Sequence, residues 1–170
     1  MKIVISSGHG SNVQGADGYL NEVDEARKVV DRVADEMRAS GNTVYTFHDN
    51  TSDTQDENLK TIVNYHNSKE RDLDVSVHFN AYEPTSQPMG TECLYLSDSS
   101  LAAEVADTIA DAGGFKNRGA KQRSDLYFLN QTDKPAILIE VCFVDSTVDA
   151  ELYNTSFDEI CARLAHTLES

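Results

Sequence analysis

Two histidines and a glutamate stand in apolar runs, where strongly polar side chains are costly. His9 follows Ile3-Val4-Ile5, His78 lies in Val75-Ser76-Val77-His78-Phe79, and Glu140 lies in Ala136-Ile137-Leu138-Ile139-Glu140-Val141-Cys142-Phe143. Burying such groups costs several kcal/mol unless a partner compensates them, and a shared divalent metal is the economical partner. A fourth residue has the same character. Asn21 reads as a helix cap followed by first-turn carboxylates, and Glu22 lies four residues before Ala26 and seven before Val29, on the face predicted to be buried. His9, Glu22 and His78 then make a His-Glu-His set. Three protein ligands leave zinc a fourth position for water, the mark of a catalytic site. Glu140, left unligated, is a carboxylate whose burial raises its pKa toward the range useful for general acid–base work. These residue types point to a metal-dependent hydrolase of amides or esters. Glu25, one turn on from Glu22, is the alternative ligand should the helix be rotated.

These side chains need elements that converge. Residues 2–6 form a buried strand, and Gly8 and Gly10 give the chain freedom to turn around His9. A helix runs from residue 22 to Gly41, with Ala26, Val29, Val33 and Met37 at helical spacing. A strand at 43–47, a helix at 55–68 and a strand at 73–79 follow. Val75, Val77 and Phe79 face one side of that strand, with Ser76, His78 and Asn80 on the other. Residues 82–89 read as a loop, 91–96 as a strand at or near a sheet edge, and 100–112 as an Ala-rich helix ending at Gly113-Gly114. A short strand at 125–129, a strand at 136–143 and helices at 147–153 and 156–168 complete the chain. Alternating strands and helices predict an α/β fold in three layers, with a mostly parallel central sheet of about six strands covered on both faces. His9 and His78 then sit at C-terminal strand ends, where such sheets place their ligands. With no repeat or linker in the sequence, residues 1–170 read as one domain.

Composition narrows the partners. An apolar fraction of 39% argues against disorder, and a net charge of −15 argues against nucleic acid or an anionic membrane as partner. The plain account of the acidity is a solvated surface. Cys93, Cys142 and Cys161 are widely spaced in apolar patterns and read as reduced, buried thiols. The chain enters a strand directly, with neither a signal-peptide core nor a membrane-spanning run, so export by another route is expected.

The motifs Ser7-Gly8-His9-Gly10, Asn21-Glu22, Ser76-Val77-His78-Phe79-Asn80-Ala81, Asn117-Arg118-Gly119-Ala120-Lys121 and Leu138-Ile139-Glu140-Val141-Cys142-Phe143-Val144-Asp145 occur in order along essentially the whole chain. In this set the chain resembles the zinc-dependent N-acetylmuramoyl-L-alanine amidases of type 3, found in bacterial autolysins and phage endolysins. The resemblance implies one zinc ion held by His9, Glu22 and His78, with Glu140 as the catalytic carboxylate. It implies hydrolysis of the amide between the lactyl group of N-acetylmuramic acid and L-Ala of the peptidoglycan stem peptide. An endolysin made without a signal peptide would reach the wall through a holin pore or by lysis. Where many relatives carry Asp-Pro before Gly-His-Gly this chain has Ser6-Ser7, which bears on the loop and not on the ligands.

Several residues keep two readings. Asn80 is a substrate donor, a support for His78, or a strand-end cap. Arg118, Lys121 and Arg123 are a basic cluster in an acidic chain, either salt-bridged locally or clamping stem-peptide carboxylates; Arg118 and Lys121 are taken as substrate-binding. His48 is assigned to the surface, and His66 and His166 to structural or partly exposed helix positions. Competing functions are a wall-binding relative without activity and a zinc carboxypeptidase of the stem peptide. Since Gram-positive walls are themselves anionic, the acidity predicts a separate wall-binding domain outside this chain.

Overall fold

A computed structural model describes residues 1–170 of the chain. Its elements in order are β1 (Lys2–Ser7), α1 (Glu22–Ala39), β2 (Thr43–Phe47), α2 (Gln55–Asn67), β3 (Leu73–Asn80), β4 (Thr91–Tyr95), α3 (Ser99–Gly113), β5 (Asn117–Gln122), α4 (Tyr127–Gln131), β6 (Ala136–Phe143) and α5 (Thr147–Leu168). The six strands form one sheet in the order β2-β1-β3-β6-β4-β5. Neighbours are parallel except β4 and β6, so the expected mostly parallel α/β sheet is present. No helix is long and apolar enough to cross a membrane.

The two faces of the sheet are covered unequally. Helices α1, α3 and α5 pack on one face over a core cluster of 32 buried residues, whereas α2 and the short α4 cover the other with a cluster of only 7. The thin layer leaves part of that second face open. Alternation within β3 sorts its residues as expected: Val75, Val77 and Phe79 enter the large core, while Ser76 and His78 face the thin side. Between His78 and Asn80 the pairing with β6 shifts register, with one extra residue on β6 after Glu140. Val141 and Cys142 consequently both reach the large core, and Glu140 remains opposite His78.

Three element assignments differ from the sequence reading. Residues 125–129 are not a strand, since α4 begins at Tyr127. The last strand of the sheet is instead β5, whose Asn117-Arg118-Gly119-Ala120-Lys121-Gln122 has no apolar alternation to betray it. It is an exposed sheet edge, where charged side chains discourage pairing with another chain. The final helix is unbroken from Thr147 to Leu168. Asn154-Thr155-Ser156 is a weak helix sequence, but Tyr153 on one side and Ile160 and Leu164 on the other are buried, and packing overrides propensity.

His66 is fully buried, bonding Asp74 through Nδ1 at 2.8 Å and Ser6 Oγ through Nε2 at 2.8 Å, which ties α2 to the sheet. Arg71 braces the same Asp74. His48 is not a free surface group, because it bridges Ser7 Oγ and Asp31 at 2.8 and 2.9 Å. His166 is exposed. All three cysteines are free and buried.

The end of β6 and the loop before β4 are joined by one carboxylate. Buried Asp149, in the first turn of α5, accepts from the backbone N–H groups of Met89, Gly90 and Phe143 at 3.1, 2.9 and 3.0 Å. Replacing it strands three donors in the interior. Asp149→Ala is expected to cost about 3 kcal/mol, read as a lower urea midpoint, and an unchanged midpoint would contradict this role.

Candidate metal centre and cleft

Strand β1 delivers His9 and β3 delivers His78 to neighbouring C-terminal ends, and Gly8 N–H extends the ladder by donating to Val77 O at 3.0 Å. The helix α1 starts where Asn21 Oδ1 caps the N–H of Asp24, which places Glu22 in its first turn. Glu22 is 3% exposed. Its Oε2 accepts from Ala16 N at 2.6 Å and its Oε1 from Phe79 N at 3.0 Å. The same Oε1 lies 3.3 Å from His9 Nε2 and 3.3 Å from His78 Nδ1, with the two rings edge-to-face at 5.2 Å. Burial alone would raise the Glu22 pKa, but the two imidazoles outweigh it and hold the carboxyl well below the usual range.

This donor set fits a metal ion. Ligands at ~2.0–2.1 Å in a tetrahedron lie about 3.3 Å apart, which is the separation of the carboxylate oxygen from each imidazole nitrogen. One candidate ligand atom from each residue falls within 4.8 Å of the others. The rotated-helix alternative fails, because Glu25 accepts from Tyr153 Oη at 2.9 Å and pairs with Lys28.

The glycines have a different role from the one expected. Neither Gly8 nor Gly10 has a positive φ, so no left-handed turn requires them. A Cβ on Gly8 would instead run into the His78 ring, and one on Gly15 would meet Glu22 and His9. The loop passes so close to the ligands that a side chain cannot fit.

Glu140 lies across the ladder from His78, with its buried Oε2 unpartnered. Burial, then the charges of Glu22 and Glu92, push its pKa well above the ordinary value, and the Arg123 guanidinium offsets part of this. Directly opposite Glu140 on the antiparallel β4 stands Glu92. The sequence reading missed it, although one carboxylate within Thr91-Glu92-Cys93-Leu94 carries the same signal as Glu140. Asn80 Nδ2 donates to Glu92 Oε1 at 3.0 Å, Arg118 Nε to Oε2 at 3.1 Å, and Lys121 Nζ also to Oε2. Burial raises the Glu92 pKa, but Lys121 and Arg118 prevail and lower it. Asn80, Arg118 and Lys121, taken from the sequence as substrate contacts, thus converge on one carboxylate beside the site. Asn80 and Arg118 also border a shallow groove with Tyr82, Met89 and Phe143.

From His9, His78 and Glu140 a cleft of about 500 Å³ extends over the thinly covered face of the sheet. Leu94 and Leu138 line its floor, Leu59 and Ile62 of α2 one wall, and the Arg123–Phe128 segment the other. The combination is a metal-type donor set and an unpaired carboxylate at the mouth of an apolar trough, which suits hydrolysis of an extended amide. Gly8→Ala is expected to displace His78 and weaken binding of added Zn(II) at least tenfold in a chelator competition. Affinity equal to that of the unaltered chain would show that the close approach is unimportant.

Residues 3–168 match the family model described as N-acetylmuramoyl-L-alanine amidase, Amidase_3. An uncharacterized 38.4 kDa protein of Clostridium perfringens is 32% identical over 96% of this chain and 49% of its own length. The germination-specific N-acetylmuramoyl-L-alanine amidase of Bacillus subtilis is 29% identical over 88% of this chain and 70% of its own. Among solved structures, the catalytic domain of the CD27L endolysin targeting Clostridia Difficile superposes with a TM-score of 0.89 at 30% identity, covering 99% of this chain and 97% of that one. The chain spans about half the length of the first two curated relatives it matches. With a family match across nearly its whole length, the chain belongs to the N-acetylmuramoyl-L-alanine amidase family, Amidase_3.

Proposed function

We propose that this chain is a zinc-dependent peptidoglycan amidase that hydrolyses the bond between N-acetylmuramic acid and L-Ala of the stem peptide. The observation that carries the reading is the Glu22 carboxylate oxygen 3.3 Å from both imidazole nitrogens, with unpaired Glu140 across the strand from His78. His9 Nε2, His78 Nδ1 and Glu22 would hold the ion. When bound there, zinc polarises a carbonyl and makes water a stronger acid near neutral pH. Glu140 Oε2 takes a proton from the attacking water and returns it to the amide nitrogen of L-Ala. The lactyl carbonyl gains the hydroxyl as its C–N bond breaks. Glu92, kept ionised by Lys121 and Arg118, disfavours a second negative charge opposite and so keeps Glu140 a competent proton carrier.

The endolysin resemblance supports the bacterial wall as the place of action. The charge of −15 also favours a separate wall-binding module, since anionic walls repel this domain at low salt. Wall lysis by the isolated domain should therefore rise between low and moderate ionic strength, and equal lysis at both would count against the module.

Glu140→Gln is expected to bind zinc like the unaltered chain and to lose lysis by at least two orders of magnitude. The kcat/KM profile of the unaltered chain should fall on the acid side as Glu140 protonates, at a pH well above the ordinary carboxyl value of 4.5. Burial is the largest cause of that rise, and a cation held at Glu22 would offset part of it. Mass analysis of digested muropeptides separates the alternatives: an amidase frees the sugar from L-Ala, and a carboxypeptidase shortens the peptide. Failure of the unaltered chain to bind zinc would overturn the proposal.

A further inference from the structure

The cations of the 117–123 segment divide into two groups with different work. Arg118 and Lys121 are engaged with buried Glu92, and diverting them to a ligand would leave that carboxylate unpaired. Arg123 alone among the lysines and arginines lines the cleft with His9, His78 and Glu140. Its backbone N–H donates to Tyr95 O at 2.8 Å, so its position at the end of β5 is set by the sheet.

The guanidinium is held along one edge only. Nε and Nη2 donate to Asp125 Oδ1 and Oδ2 at 2.7 and 2.8 Å. Of the five N–H groups of arginine, this pairing uses two, and the Nη1–Nη2 edge remains free to bind a second carboxylate bidentately. With 42% of its side chain exposed, Arg123 is reachable from solvent. Around it the cleft offers Leu59, Ile62, Leu126 and Phe128, and the other charges are the carboxylates Glu140 and Asp125. Apart from a metal held by His9, Glu22 and His78, Arg123 is the one cation that an anionic group in this cleft can meet.

We propose that Arg123 is the receptor for a stem-peptide carboxylate, the free α-carboxyl of the acidic residue that follows L-Ala. The identity of the peptide rests on the amidase reading; the receptor itself rests on the free guanidinium edge in the cleft. In the stem peptide that residue is a D-glutamate joined through its side chain, its α-carboxyl free in some walls and amidated in others. A cleft of about 500 Å³ holds a peptide of two or three residues. The second residue thus falls in the same cleft as the scissile amide. The glycan then leaves on the side of the catalytic residues away from the apolar trough. Walls amidated at this position would be poorer substrates.

The test is calorimetric titration of the zinc-loaded protein with L-Ala-γ-D-Glu-L-Lys and with the same tripeptide carrying D-isoglutamine. The unaltered chain should bind the carboxylate form about tenfold tighter. Arg123→Ala should bind both forms equally, and Arg123→Lys should keep a preference of about threefold, since charge remains while the fork is lost. The Arg123–Asp125 pair is exposed, so these variants should unfold at the midpoint of the unaltered chain. A tenfold preference surviving in Arg123→Ala, equal binding of both forms by the unaltered chain, or binding of neither would overturn the receptor. Lysis decides the amidase reading separately. A chain that prefers the carboxylate peptide yet releases no L-Ala amine from walls retains the receptor and loses the amidase.

Discussion

The site depends on a single carboxylate shared between two imidazoles. Glu22 is buried at the start of α1, where an isolated charge would be expelled or neutralised. It is retained because the backbone N–H groups of Ala16 and Phe79 fix its two oxygens. One oxygen is thereby aimed between His9 and His78. Three separate segments meet at that point: the loop after β1, the helix α1 and the end of β3. The missing side chains at Gly8 and Gly15 permit the approach, so the loop's closeness to the ligands follows from the same constraint.

Beside this centre two carboxylates face each other across β4 and β6 in opposite electrostatic settings. Glu92 has Asn80, Arg118 and Lys121 around it, whereas the buried oxygen of Glu140 has no partner. The cations are placed one strand too far to serve Glu140 directly. Their effect is to keep a negative charge on Glu92, which together with burial makes ionisation of Glu140 harder. The basic cluster thus acts on Glu140 at one remove, and of its three cations Arg123 alone lines the cleft.

The unequal layers of the fold explain where that ligand can lie. Three long helices seal one face of the sheet, and two shorter ones leave a trough on the other, floored by Leu94 and Leu138. The antiparallel insertion of β4 beside β6 brings Leu94 to the floor of this trough and sets Glu92 opposite Glu140. A fully covered sheet would have buried His78 and Glu140 beyond the reach of a substrate.

The fold class, most elements and the quartet His9, Glu22, His78 and Glu140 were legible in the sequence, because polar groups in apolar periodic runs are conspicuous and helix caps are local signals. Asn21 before a carboxylate-rich first turn placed Glu22, and alternation placed His78 on the face opposite Phe79. The continuous α5 and the β5 edge were not legible, since Tyr153 and Ile160 hold the helix by packing and Arg118 and Lys121 join a strand with no apolar pattern. Only the tertiary structure decided which cations Glu92 holds and which one lines the cleft, because Glu92 meets Arg118 and Lys121 through strand pairing at a separation of 26 and 29 residues. Local chemistry identifies what a side chain can do; long-range pairing determines which partner claims it first.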